Sequence, residues 1–264
     1  MAGGAFASEA AVRAGASYGT IVVVGGGCYG SYYVRQLGRA NRAGAITWDR
    51  VLVVDKNPDC AVSANGGLWE PGLISRNPTL VVAEWTPFFS EYLSGWSSSA
   101  ESRSTDAIVP SPLMPHLLYE WVRDRARERW PGREVEARSL GETAGTPWES
   151  EARDRTRYVS FATWMCPINC VEPEICPHTK AERTWSMPVA MQEFVDKSFP
   201  GETKIEGPLV FHCTHRAYGV GMIPVESVVR ADKFIETVAS TRAADVLVAT
   251  VSHCHGAMNV LSIR

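Results

Sequence analysis

Short runs of apolar side chains alternate along this chain with longer stretches in which apolar residues recur every three or four positions. The runs fall near residues 20–24, 50–54, 79–83, 157–164, 208–213 and 245–251 and predict strands. The helical periods fall near 28–42, 86–95, 113–130, 188–198 and 225–240. Ile21-Val-Val-Val24 and Val51-Leu-Val-Val54 are apolar without a break, so both faces of these strands are expected to be covered. Such strands, separated by helices, predict an α/β fold with a doubly wound, mostly parallel sheet and irregular insertions.

Two stretches break the rhythm. Residues 58–78 carry Asn65-Gly-Gly67 and Pro71-Gly72 and read as an irregular excursion. Residues 96–156 hold Ser97-Ser-Ser99, several prolines and one helical segment at 115–130, and read as an insertion. Leu117, Leu118, Trp121 and Val122 give that helix a short apolar face. Its Arg123, Arg125, Arg127 and Arg129 are interleaved with acids, which marks a solvated face rather than an anion patch. Residues 1–18 are small and flexible in character and read as a disordered leader, leaving 19–264 as a single domain.

Composition narrows the functional classes. A chain of 264 residues with 45% hydrophobic and 21% charged content has the makings of a substantial core. A net charge of −3 lacks the basic footprint expected for nucleic acid or an anionic membrane surface. No apolar run approaches the ~18 residues of a membrane span. The seven cysteines are odd in number, and the N-terminus lacks the basic and apolar segments of an export signal. Both features argue against a disulfide framework and for a cytoplasmic protein whose thiols bind metal, react, or pack. A homo-oligomer is compatible with all of this.

The strongest chemical signal is the strand at 20–24 running into Gly25-Gly-Gly-Cys-Tyr-Gly30, a G-x-G-x-x-G loop that opens a helix. In such a loop Gly25 permits the tight turn, Gly27 lets the backbone approach a pyrophosphate, and Gly30 lets helix and strand pack closely. Gly26, Cys28 and Tyr29 complete the loop, whose N–H groups and helix dipole favour phosphate. The second strand ends in Asp55, placed to hold ribose hydroxyls and to repel a 2′-phosphate. NAD(H) is therefore favoured over NADP(H), a preference softened by Lys56.

Two segments, Ile21-Val-Val-Val-Gly-Gly-Gly-Cys-Tyr-Gly30 and Val51-Leu-Val-Val-Asp55-Lys56-Asn57, carry a family likeness. Over residues 19–60 the chain resembles the N-terminal nucleotide-binding domain of TrkA and the RCK (regulator of potassium conductance) family, and it fits short-chain Rossmann oxidoreductases as well. The resemblance implies a Rossmann-like sheet and a bound dinucleotide. After the third strand, the family's usual Gly-Asp is here Ala83-Glu84.

The second half is rich in Cys and His. Trp164-Met-Cys-Pro-Ile-Asn-Cys-Val-Glu-Pro-Glu-Ile-Cys-Pro-His178 spaces its thiols as Cys-x3-Cys-x5-Cys in a proline-braced loop. Thiolates gathered in this way need a cation, so Cys166, Cys170 and Cys176 are candidate ligands for zinc or an iron–sulfur cluster. Pro208-Leu-Val-Phe-His-Cys-Thr-His215 and Asp245-Val-Leu-Val-Ala-Thr-Val-Ser-His-Cys-His-Gly256 end apolar strands in further candidates, Cys213, His215 and Cys254. In a parallel sheet these strand ends share one edge with Cys28. His212 and His253 are candidate acid–base residues. In an extended strand His253 and His255 would face one side and Cys254 the other.

These features together predict an NAD(P)-dependent oxidoreductase acting on a small molecule or an electron partner. The alternative is an NAD(H)-sensing regulator without turnover.

Overall fold

The computed structural model of the chain describes residues 15–64, 78–95, 105–168, 170–198 and 205–264. Its first half runs β1 (Ala16–Val24), α1 (Cys28–Arg42), β2 (Ile46–Asp55), α2 (Ala61–Ala64), β3 (Thr79–Val82), α3 (Trp85–Ser94) and β4 (Ala107–Val109). It continues with α4 (Leu117–Arg129), β5 (Val135–Arg138), β6 (Trp148–Glu151), β7 (Arg157–Ser160) and α5 (Met187–Ser198). The last part is β8 (Glu206–His212), β9 (Thr214–Ala217), β10 (Val220–Pro224), α6 (Val225–Ala239), β11 (Ala244–Val251) and β12 (His255–Ile263).

These elements form two mixed sheets, not one mostly parallel sheet. The first has the order β3-β2-β1-β4-β10-β9. Its β3, β2, β1 and β4 are parallel, and the β9–β10 hairpin adds an antiparallel edge. The second has the order β6-β7-β12-β11-β8, with β5 also paired to β12. Only β8 and β11 are parallel neighbours there. Across that sheet β7, β8 and β11 run the same way, so their C-terminal ends lie along one edge.

Alternation of side chains builds five layers from these strands. Ile21 and Val23 pack with Val34 and Leu37 of α1. Val22 and Val24 face a middle layer of α3, α4 and α6, which meets Val246 and Val248 of β11 on its far side. Leu247 and Ala249 face α5 through Met187, Met191 and Phe194. One apolar cluster thus joins the two sheets through α4 and α6. Arg129 of α4 adds two hydrogen bonds to Asp232 of α6 (3.0 and 2.9 Å).

Several expectations change. Within the stretch 96–156, the described residues 105–156 supply β4, α4, β5 and β6. The strand expected to open at residue 20 begins at Ala16, inside the expected leader, and pairs from there with Ile46. β12 lies outside the apolar runs because Gly256, Asn259 and Ser262 interrupt its pattern, although Asn259 and Ser262 are buried. Asn65-Gly-Gly67, Pro71-Gly72 and Ser97-Ser-Ser99 lie outside the described residues. Among the described residues no helix is long and apolar enough to cross a membrane.

Candidate functional site

The glycine loop leaves β1 in the geometry its spacing requires. Gly25 has φ +86° and donates its N–H to Val54 O at 2.8 Å, making the tight turn. A Cβ on Gly30 would sit 1.8 Å from the Gly25 carbonyl oxygen, so only glycine lets α1 approach β1 this closely. A Cβ on Gly27 would meet nothing within 4 Å, so this backbone faces open space. The first helical bond, Ser31 N–H to Gly27 O (2.9 Å), leaves the preceding N–H groups of α1 without helical partners.

Asp55, at the end of β2, accepts the Gly26 N–H at 2.6 Å and the Asn57 N–H at 2.9 Å. Each carboxylate oxygen keeps a lone pair for a further donor. Lys56 lies 3.6 Å from Glu84, both largely in solvent. Cys60 is buried against the loop, where a Cβ on Gly26 would come within 2.4 Å of its Sγ.

A cleft of about 670 Å³ opens between the two sheets. Pro110 and Ser111 enter it from the end of β4, the neighbour of β1, and Tyr33 from α1. Cys166, Cys213, His215 and His255 also line it, His215 from β9 of the first sheet and His255 from β12 of the second. Burial pushes the Cys213 thiol up to about 12, with Glu172 adding to the rise. Burial, followed by Cys213, likewise raises the Tyr33 hydroxyl to about 12. Both groups therefore enter the cleft protonated.

His215 also borders a second pocket of about 370 Å³, shared with His212, His253, Glu172, Glu174 and Arg183. Glu172 organises it. Its carboxylate accepts the His253 N–H (3.1 and 3.3 Å) and lies 3.6 Å from His215 Nδ1. Its φ of +51° is unusual for a residue with a side chain and costs on the order of 1–3 kcal/mol. Burial lowers His212, His215 and His255 below the ordinary imidazole value, although Glu172 pulls each upward. These rings are neutral near pH 7 and can accept protons.

The thiol loop is held by contacts beside each cysteine. Trp164 stacks on His178 with ring centroids 4.3 Å apart. Cys170 Sγ accepts the Glu172 N–H at 3.4 Å. Burial opposes the Cys176 thiolate, but N–H bonds from Thr179 and His178 outweigh it and lower the pKa. Cys254 Sγ accepts Trp185 Nε1–H at 3.3 Å. Among the described residues no three His, Cys, Asp or Glu side chains meet as a single-ion site.

The expected site residues are thus divided. Cys166, Cys213 and His215 line the cleft, whereas His212 and His253 face the smaller pocket. Cys28 is exposed on the first turn of α1 and lines neither. β11 ends at Val251, and a Ser252 N–H to His255 O bond (2.8 Å) turns the chain into β12, so strand alternation does not govern His253. Sequence reasoning gave no role to Glu172 or Tyr33. An acid between two thiols and before Pro173 is the signal that marks Glu172; Tyr33 carries none.

A family model described as "Uncharacterized protein, C-terminal domain" (AF_1314_C) matches residues 118–264, more than half of the chain. The chain belongs to this family. The AF_1314_C region starts within α4 and supplies the whole second sheet, the β9–β10 hairpin, and the Cys and His residues that line the cleft. The glycine loop lies before it. No curated protein and no solved structure matches the chain.

Proposed function

We propose that this protein is an NAD(P)-dependent oxidoreductase, with NAD(H) as the preferred cofactor and a small molecule or electron partner as the second reactant. The observation that carries the reading is where the cleft begins. The parallel order β3-β2-β1-β4 is that of a Rossmann-like dinucleotide-binding half, and ligands of such sheets lie across the C-terminal ends of the strands. A dinucleotide with its pyrophosphate at Gly27 and its adenosine ribose at Asp55 points its other end past β4. There Pro110 and Ser111 open the cleft.

The residues fit such a ligand. Gly27 leaves the space that a side chain would fill, and Asp55 is fixed by two backbone N–H groups while keeping lone pairs for ribose. When bound, the nicotinamide supplies the hydride chemistry. Tyr33, His215 and Cys213 line the cleft together, Tyr33 as a protonated hydroxyl, His215 as a neutral imidazole able to accept a proton and Cys213 as a neutral thiol. His212 and His253 line the adjoining pocket around Glu172.

NADH binding, followed by nicotinamide fluorescence in wild type and Gly27→Val, tests the reading. The variant is expected to keep its circular dichroism spectrum and lose binding, because a side chain there occupies the pyrophosphate's space. Asp55→Asn is expected to raise the NADPH-to-NADH affinity ratio by removing the charge that repels a 2′-phosphate. Equal NADH affinity in wild type and folded Gly27→Val rules the assignment out. Tight binding with no NADH oxidation by any acceptor favours the sensing alternative.

A further inference from the structure

We propose that Cys166, Cys170, Cys176 and Cys254 are the four thiolate ligands of an iron–sulfur cluster seated between the loop after β7 and the β11–β12 turn. Three contacts gather these residues, each made at a cysteine or within five positions of one. The Trp164–His178 stack draws together the backbone two residues before Cys166 and two residues after Cys176. The Glu172 carboxylate, two residues after Cys170, holds the N–H of His253, the neighbour of Cys254. The Cys254 carbonyl accepts the N–H of Phe161 at 2.9 Å, tying the turn to the strand that leads into Cys166.

The sulfurs are also dressed as cluster ligands. Cys170 and Cys254 each accept an N–H, from Glu172 and from the Trp185 indole, and Cys176 accepts N–H bonds from His178 and Thr179. Donors of this kind stabilise bound thiolates and tune cluster potential. Pro167 and Pro177 fix the backbone directly after two of the ligands.

The class of metal follows from how the sulfurs gather. A tetrahedral zinc ion would hold them within about 4 Å of one another, and Cys-x3-Cys is within the C-x2–4-C spacing such sites use. This loop has Cys-x3-Cys and Cys-x5-Cys, and its thiols do not close on a single-ion site. A polynuclear cluster takes four thiolates at wider spacing. Cys213 is excluded from the set. Its sulfur packs against Gly221 beside the apolar cluster of the middle layer.

The experiment is anaerobic reconstitution of the full chain with ferrous and ferric iron and sulfide, read by iron and acid-labile sulfide content and by visible absorbance. Wild type is expected to take up iron and sulfide in equal amounts and to bleach on reduction. Cys170→Ala and Cys254→Ser should each lose most of that absorbance, while Cys213→Ala retains it; thermal unfolding of each variant separates lost loading from lost folding. Gly27→Val should load like wild type, so failure here is distinct from failure of the dinucleotide reading. Zinc in place of iron, no iron uptake, a Cys166–Cys170 or Cys170–Cys176 disulfide in the anaerobic protein, or loss of loading in Cys213→Ala rather than Cys254→Ser overturns the proposal.

Discussion

His116 shows how far one side chain can be moved by its surroundings. It stacks on Tyr119 with centroids 4.9 Å apart, and its Nδ1 lies 3.1 Å from Thr250 Oγ1. Burial lowers its pKa to about 3, against a smaller upward pull from Asp154. The unfolded chain therefore binds a proton that the folded chain refuses. The stabilisation is full above about pH 6.5 and is lost as pH falls towards 3, at about 1.4 kcal/mol per unit. Urea denaturation at pH 7 and pH 4 is expected to show wild type losing on the order of 3 kcal/mol more than His116→Gln. Equal losses in the two proteins would mean that His116 does not carry the effect. At this scale the glycine loop was legible, because its steric demands are local. Glu172 was not, because its meaning depends on histidines 40 or more positions away that only the fold brings to it.

Elements were legible where periodicity was long and uninterrupted. The helix expected at 28–42 is α1 at those bounds, and the runs at 50–54 and 245–251 lie within β2 and β11. What the pattern could not reveal was pairing. β4 has three residues, β12 hides buried polar groups among its apolar ones, and the β9–β10 hairpin turns at Tyr218-Gly219, both with positive φ. The close fit of α1 on β1 has its own test. Gly30→Ala forces a Cβ into the Gly25 carbonyl, which is backbone and cannot turn aside. Chemical denaturation is expected to show a loss of at least 1–3 kcal/mol, the usual range for overpacking. Gly27→Val, three residues away and facing open space, should lose only about 1 kcal/mol, the cost of a poorer N-cap for α1.

At the scale of the molecule, α4 and α6 are apolar on both sides because a sheet covers each side. The AF_1314_C match starts at residue 118, yet a fragment of residues 118–264 would leave that layer without β1, β2 and β4. Such a fragment is expected to bind a hydrophobic dye and to lack a cooperative thermal transition. A sharp transition in the soluble fragment would show that the second sheet folds alone. The joint between the sheets has a different consequence. β8 passes into β9 through Cys213 alone, and the Cys213 N–H is tied to Val251 O at 2.8 Å. Parting the cleft walls on that side would mean bending a continuous strand and breaking that bond. On that side one continuous strand and one hydrogen bond hold the width of the cleft fixed, as the spine of a book sets the gap between its covers.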